Sequence, residues 1–153
     1  MTKVTMAQVA KLRDKTGAPV IRVKKVLEEQ GGNEKKAEEI LKKEGFEKAA
    51  KRVGRATGAG VVASYVHHSR KVAALVELMC ETDFVARNEL FVELGNNLAM
   101  QVASMSPKDA KELEDQDYIK DPSKKIKELI KEAIAKTGEN IQIGKITRFA
   151  IGE

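Results

Sequence analysis

At 153 residues and 42% hydrophobic content, the chain is long enough for one ordinary core and a small appendage, which excludes an intrinsically disordered protein. No apolar run approaches the roughly 20 residues that span a bilayer. The N-terminus has neither the apolar core of a secretory signal nor the Ser/Arg bias of a transit peptide, so a cytoplasmic location and no membrane partner are expected.

The formal charge of +5 is unevenly spread. Residues 1 to 60 hold 15 Lys/Arg against 8 Asp/Glu, and the remainder 13 against 15, so the N-terminal part carries the excess. Its lysines alternate with Glu28, Glu29, Glu34, Glu38 and Glu39 at helical spacings, as on an ordinary solvated helix surface. With no Trp, no aromatic stacking pair and no zinc-ligand spacing, RNA binding is the weaker use of this end, and no direct nucleic-acid contact is expected.

Thr5 followed three residues later by Gln8 forms a capping box for a first helix, whose Met6, Val9, Ala10 and Leu12 share a face until Thr16-Gly17 ends it. Pro19 suits the first turn of a second helix with the stripe Val20, Val23, Val26 and Leu27, stopped by Gly31-Gly32. Asn33 caps a third, with Ala37, Ile40 and Leu41 inward, and Gly45-Phe46 is expected to end it as a left-handed stop. These helices make residues 1–46 a bundle too small to be very stable alone. Residues 47–60 begin as a basic helix and dissolve into glycine, which predicts a linker with few crossing contacts. Lys48, Lys51, Arg52 and Arg55 there either meet an acidic patch on a partner or cover a solvated connection.

Residues 61–153 are expected to form a core domain. Val61 to His67 and Val72 to Cys80 predict a hairpin. The second strand is apolar on both faces, with Val72, Ala74, Val76 and Leu78 on one side and Ala73, Leu75 and Met79 on the other, so a second covering layer is expected. Leu90, Phe91, Leu94, Leu98, Met100, Val102 and Met105 mark the main core helix, ending at Ser106-Pro107. After an acidic segment, 109 to 121, a last helix is expected to open at Pro122-Ser123, turn Ile126, Ile130 and Ile134 inward and close at Gly138. Ile141, Ile143, Phe149 and Ile151 then alternate as a third strand. The expected class is α+β: a three-helix bundle followed by a core domain with a three-stranded antiparallel sheet packed on helices.

The residues available for catalysis, Cys80, His67, His68, Glu77, Glu81 and Asp83, do not assemble. His67 and His68 are neighbours that project to opposite faces of a strand. The lone Cys80 excludes an internal disulfide and reads as a reduced, buried thiol in an apolar strand. No enzyme, cofactor or metal site is expected, and His67 reads as a surface or interface residue.

Between the hairpin and the core helix lies ETDFVARN, residues 81–88. Thr82 or Asp83 suits the N-cap of a helix entered through Phe84 and Val85. In a chain with 4% aromatic residues, Phe84 is either an anchor for a partner's pocket or a hydrophobic staple folded onto its own helix, and pattern alone leaves both open.

The run LVELMCETDFVARN, residues 75–88, closely resembles the signature of the bacterial translation elongation factor Ts family, whose commonest form reads LVEVNCETDFVARN. Residues 12–27, LRDKTGAPVIRVKKVL, are similar to the text LRxxTGAGMMDCKKAL of the family's N-terminal ubiquitin-associated-like (UBA-like) domain, with departures at Pro19, Val20, Ile21, Arg22 and Val23. SYVHH at 64–68 is similar to the family's SYIHH, and residues 113–153, with GENI and RF before a Gly-Glu, resemble the end of its core domain.

This resemblance implies a guanine-nucleotide exchange factor for the translational GTPase EF-Tu, with GDP, GTP and magnesium belonging to the partner. It implies that Phe84 wedges into an apolar pocket near the magnesium and phosphate site, and that Asp83 helps displace the elements holding the ion. Thr82, Val85, Arg87 and Asn88 would frame the anchor. A second docking surface is implied on the UBA-like domain, at Leu12, Arg13, Thr16, Gly17, Ala18, Val20 and Ile21. His67 would touch a partner, and Cys80 would approach its twin if its strand lies on a twofold axis. Longer family members carry a degenerate second copy of the core and a coiled-coil insertion. A one-copy chain recovers that pseudo-symmetry as a homodimer through its sheets, the alternative being a monomer whose bundle folds over the open sheet face. Two other functions stand beside exchange: a small ribosome- or RNA-associated adaptor using the basic end, and a family member retained for binding alone.

Overall fold

The computed structural model describes residues 3–153. Three helices come first, α1 (Met6–Thr16), α2 (Val20–Glu29) and α3 (Glu34–Ala50). The capping box at α1 is reciprocal: Gln8 N donates to Thr5 Oγ1 at 3.2 Å, and Thr5 N donates to Gln8 Oε1 at 3.0 Å. Lys36 N donates to the Asn33 side chain at 3.1 Å and so caps α3. Val9, Leu12, Val23, Val26, Leu27, Ala37 and Leu41 form the interior of the bundle.

Gly45 does not end α3, contrary to the sequence expectation; the helix runs on to Ala50. The glycine serves a close approach instead, because a Cβ there would lie 3.2 Å from the Cβ of Ala135 in α7 (Ile126–Thr137). Leu41 belongs to the bundle interior and Ala49 to the interior of the core domain, so one helix is shared by both. The same seam holds Gly17, whose Cβ would sit 2.8 Å from the Lys136 Cα, and Arg52, whose Nη1 donates to Ile134 O at 3.2 Å. The bundle thus leans on α7, and the expectation of few crossing contacts does not hold.

Ion pairs brace the bundle: Lys11 with Glu34 at 2.7 Å, Lys15 with Glu38 at 3.0 Å, and Arg22 with Glu44. Hydrogen bonding to these partners holds the Glu34, Glu38 and Glu44 carboxyls below their ordinary 4.5. A depressed folded-state value stabilises above the unfolded value, and that contribution disappears as pH falls through the folded one. Melting temperature is therefore expected to decline below about pH 4.5, less so in 1 M salt, which screens exposed pairs. A melting temperature flat from pH 6 to pH 3 would show that the pairs contribute nothing.

The core sheet is antiparallel in the order β1-β2-β5, from β1 (Ala59–Val66), β2 (Val72–Cys80) and β5 (Ile141–Ala150). Its inner face presents Ala63, Ala74, Val76, Leu78 and Cys80, which share a core with Phe91, Leu94, Leu98 and Val102 of α5 (Glu89–Met105). Gly95 lets that helix approach, since a Cβ there would lie 3.0 Å from the Ala63 Cβ. The fold is α+β, as its sequence predicts.

Strand β5 departs from simple alternation. Val76 pairs with Ile146 but Leu78 with Ile143, so β5 carries one extra residue, a bulge. Glu77 lies over Gly144, where a Cβ would meet Oε1 at 2.0 Å. Ile141 and Ile143 are buried before the bulge, whereas Phe149 after it lies on the outer face and Ile151 falls in the turn beyond the strand. Phe149 and Ile151 therefore do not join the core face, as plain alternation had suggested.

A short helix, α6 (Ala110–Asp115), leads to a two-stranded ribbon of β3 (Asp117–Tyr118) and β4 (Asp121–Lys125). Pro122 and Ser123 lie within β4 and do not open the last helix. α7 begins only at Ile126, where Lys125 N donates to Glu128 Oε2 at 3.2 Å. A ribbon edge tolerates a residue with no amide to donate. Gln101 of α5, fully buried, pins the ribbon by donating to Asp117 O and accepting from Ile119 N, both at 3.0 Å. Among the described residues, no helix is long and apolar enough to cross a membrane.

Candidate partner-binding site

The segment after β2 makes one helical turn, α4 (Asp83–Ala86). Thr82, not Asp83, is its N-cap: the Thr82 backbone is extended and its Oγ1 faces Val85 N at 3.5 Å. The turn is amphipathic in miniature. Val85 and Ala86 are buried in the core, while Asp83 and Phe84 face solvent. Phe84 is 90% exposed, so it is not stapled onto its own helix. Asn88 caps the next helix, its Oδ1 accepting from Leu90 N at 2.9 Å, and Arg87 is exposed between the two.

The turn between α7 and β5 holds this segment in place. Glu139 accepts hydrogen bonds from Glu81 N at 3.1 Å and Thr82 N at 2.9 Å through Oε1, and from Thr82 Oγ1 at 2.6 Å through Oε2. Asn140, itself buried, donates its backbone N to Glu81 Oε1 at 2.8 Å and Nδ2 to Arg55 O at 2.9 Å. The chain leaving α3 is thus tied to the same node.

On the bundle, Gly17 closes α1 in the left-handed conformation at φ 67°, and the turn it makes presents Val20 and Ile21 outward. Ile21 is 83% exposed. Arg13 is exposed and Ala18 half-buried, but Leu12 and Thr16 are interior, and Thr16 Oγ1 donates to Leu12 O at 2.7 Å. Leu12, Thr16 and Val85 therefore support the exposed residues from below and have too little surface to meet a partner themselves.

Cys80 is on the inner sheet face with no exposed surface, its Sγ 3.2 Å from Thr82 O, so it does not lie where a sheet-to-sheet twin would reach it. Burial, reinforced by the Glu139 carboxylate, pushes the thiol above its ordinary 9.0. A thiol reagent at pH 8 is expected to react roughly 100-fold more slowly with the folded chain than with the denatured one, followed by absorbance. Equal rates would mean that this end of β2 opens freely. His67 lies just past β1, half-buried, its Nδ1 3.0 Å from the Tyr65 hydroxyl. Its ring is 4.1 Å from that of His68, because the chain has already left the strand, and the two do not project to opposite faces.

A sequence profile described as Elongation factor TS matches residues 81–153, from the anchor segment through β5 and the turn beyond it. An elongation factor Ts of Thermosipho melanesiensis is 40% identical, the match covering 95% of this chain and 97% of the relative. That of Thermotoga maritima is 40% identical, covering 99% and 98% respectively. The chain belongs to the elongation factor Ts family. A further relative, from Anaeromyxobacter dehalogenans, is 40% identical and covers the whole chain and 90% of the relative. That alignment runs over 198 positions against 153 residues here, so the relative fills 45 positions that this family member leaves empty. Membership in the elongation factor Ts family assigns the chain a role in translation elongation.

The capped turn is legible in the sequence, with Phe84 open between anchor and staple, but the support that Glu139 gives it is not. Glu139 entered only as part of the text GENI, without a role. The signal that locates it is register: Cys80 pairs with Ile141, so continuing the antiparallel ladder sets residue 82 opposite residue 139.

Proposed function

We propose that this chain is a nucleotide exchange factor for EF-Tu, acting in the cytoplasm without bond chemistry or a cofactor of its own. The observation that carries this is Phe84, an aromatic 90% exposed on a turn whose two following residues are buried. Aromatic side chains held out rigidly lose little entropy on entering a partner's pocket. Exchange requires the factor to bind the nucleotide-free GTPase more tightly than the loaded one, and linkage makes it weaken nucleotide by the same factor. Phe84 is the wedge at the magnesium and phosphate site, and Asp83 adds a charge that competes for the elements holding the ion. Thr82, Val85, Arg87 and Asn88 fix their setting. Ile21 and Val20 form the second contact, displayed by the Gly17-Ala18-Pro19 turn. The test is release of labelled GDP from EF-Tu, expected to accelerate with added protein. An unchanged release rate alongside measurable binding would favour a family member that binds without exchanging.

The exposed sheet face supports a homodimer within the same proposal. Val62, Val66, Leu75 and Phe149 lie together on the side opposite α5, while the bundle sits on α7 and leaves them open. Large apolar side chains exposed on one sheet face, here beside Ser64, Glu77 and Thr147, are the kind of surface that an interaction covers. RNA binding by the basic end is the alternative, and salt separates the two. Affinity carried by several phosphates falls steeply with salt, whereas exchange carried by an apolar anchor survives moderate salt.

A further inference from the structure

The Glu139 carboxylate is committed to the anchor segment. Its three hydrogen bonds, 2.6 to 3.1 Å, all go to Glu81 and Thr82, the residues directly before Asp83 and Phe84. One of its donors, Thr82, is also the N-cap of α4, so the carboxylate holds the residue that starts the turn. A helix of four residues has no stability of its own, because nucleation costs more than one turn returns. The turn is held below by Val85 and Ala86 in the core, and from the side by Glu139. Phe84 itself is exposed and supplies no restraint.

We propose that Glu139 is the positioning residue for the Phe84 anchor: clamped across the sheet end onto Thr82, it sets the direction in which the ring leaves the surface. This inference rests on the exchange function proposed above. Charge-assisted hydrogen bonds to backbone amides are the strong kind, and here they are spent on orientation. Without them the turn samples several orientations, and a partner must reorder it on binding, a cost that preorganisation removes.

The experiment is a double-mutant cycle in the full-length chain, read as EF-Tu GDP release over a range of factor concentrations. Glu139→Ala is expected to raise the concentration giving half-maximal exchange about tenfold. Added to Phe84→Ala, it should change exchange less than twofold, because a residue acting only through Phe84 has nothing left to position. Glu139→Gln keeps an oxygen for the two amides and should recover most of the loss, with a wild-type melting temperature as the control for folding. In the free protein, the Thr82 amide should exchange with solvent at least tenfold faster in Glu139→Ala, while Leu98 in α5 stays protected. An equal loss from Glu139→Ala with and without Phe84 would overturn the inference, as would an unaltered Thr82 amide. If Phe84→Ala slows exchange and Glu139→Ala does not, only the positioning role fails. If Phe84→Ala itself leaves exchange unaltered, the anchor fails and this inference with it, whereas a wild-type chain that does not accelerate GDP release overturns the exchange function proposed above.

Discussion

Phe84→Ala is expected to lower exchange on EF-Tu about 30- to 1000-fold while leaving stability within about 0.5 kcal/mol of wild type. The two halves of this expectation come from one observation, the 90% exposure of the ring. An exposed side chain contributes little to folding, so truncating it changes stability only slightly. A rigid aromatic that becomes buried in a partner's pocket is worth about 2 to 4 kcal/mol, and each 1.4 kcal/mol is about tenfold. Chemical denaturation and GDP release on the same preparation check both halves. A loss of several kcal/mol in stability would mean that the ring packs on its own chain in solution. Asp83→Asn isolates the charge, because Thr82 and not Asp83 caps the turn. Exchange unaltered in that variant would remove Asp83 from the displacement of magnesium.

Charge placed on the open sheet face is expected to separate a dimer into folded monomers. Val62 is 69% exposed and Phe149 72%, so Val62→Glu with Phe149→Glu creates no clash within one chain. In a dimer that buries this face, each copy would bring two uncompensated carboxylates out of water, at several kcal/mol each. The dissociation constant is then expected to rise at least about 100-fold. Light scattering at micromolar concentration should give a dimeric mass for the wild type and a monomeric mass, with unaltered circular dichroism, for the variant. A monomeric wild type with full exchange activity would sink the dimer. Oxidation is expected to trap no covalent dimer in either, because Cys80 faces α5 and not the open side.

Much of this protein was determined by local chemistry that is visible in the sequence. The capping box at Thr5 and Gln8, the Asn33 cap, the glycine stops at Gly17 and Gly138 and the apolar spacing from Leu90 to Val102 set helices whose ends and apolar stripes are written in neighbouring residues. The two apolar, β-branched runs on either side of the short segment 68–71 determined the hairpin in the same way. Tertiary structure decided the rest, wherever a residue answers to a partner distant in sequence. Gly45 reads as a stop but is a contact, because only the arrival of Ala135 from α7 requires its missing side chain. The β5 bulge shifts the register and so sends Phe149 outward, and the bulged stretch holds Gly144, whose missing side chain leaves room for Glu77 on another strand. Phe84 was legible as a choice between staple and anchor. The choice was made by Val85 and Ala86 entering the core and by Glu139 reaching Thr82 from 57 residues away, a contact that exists only once β2 and β5 have paired.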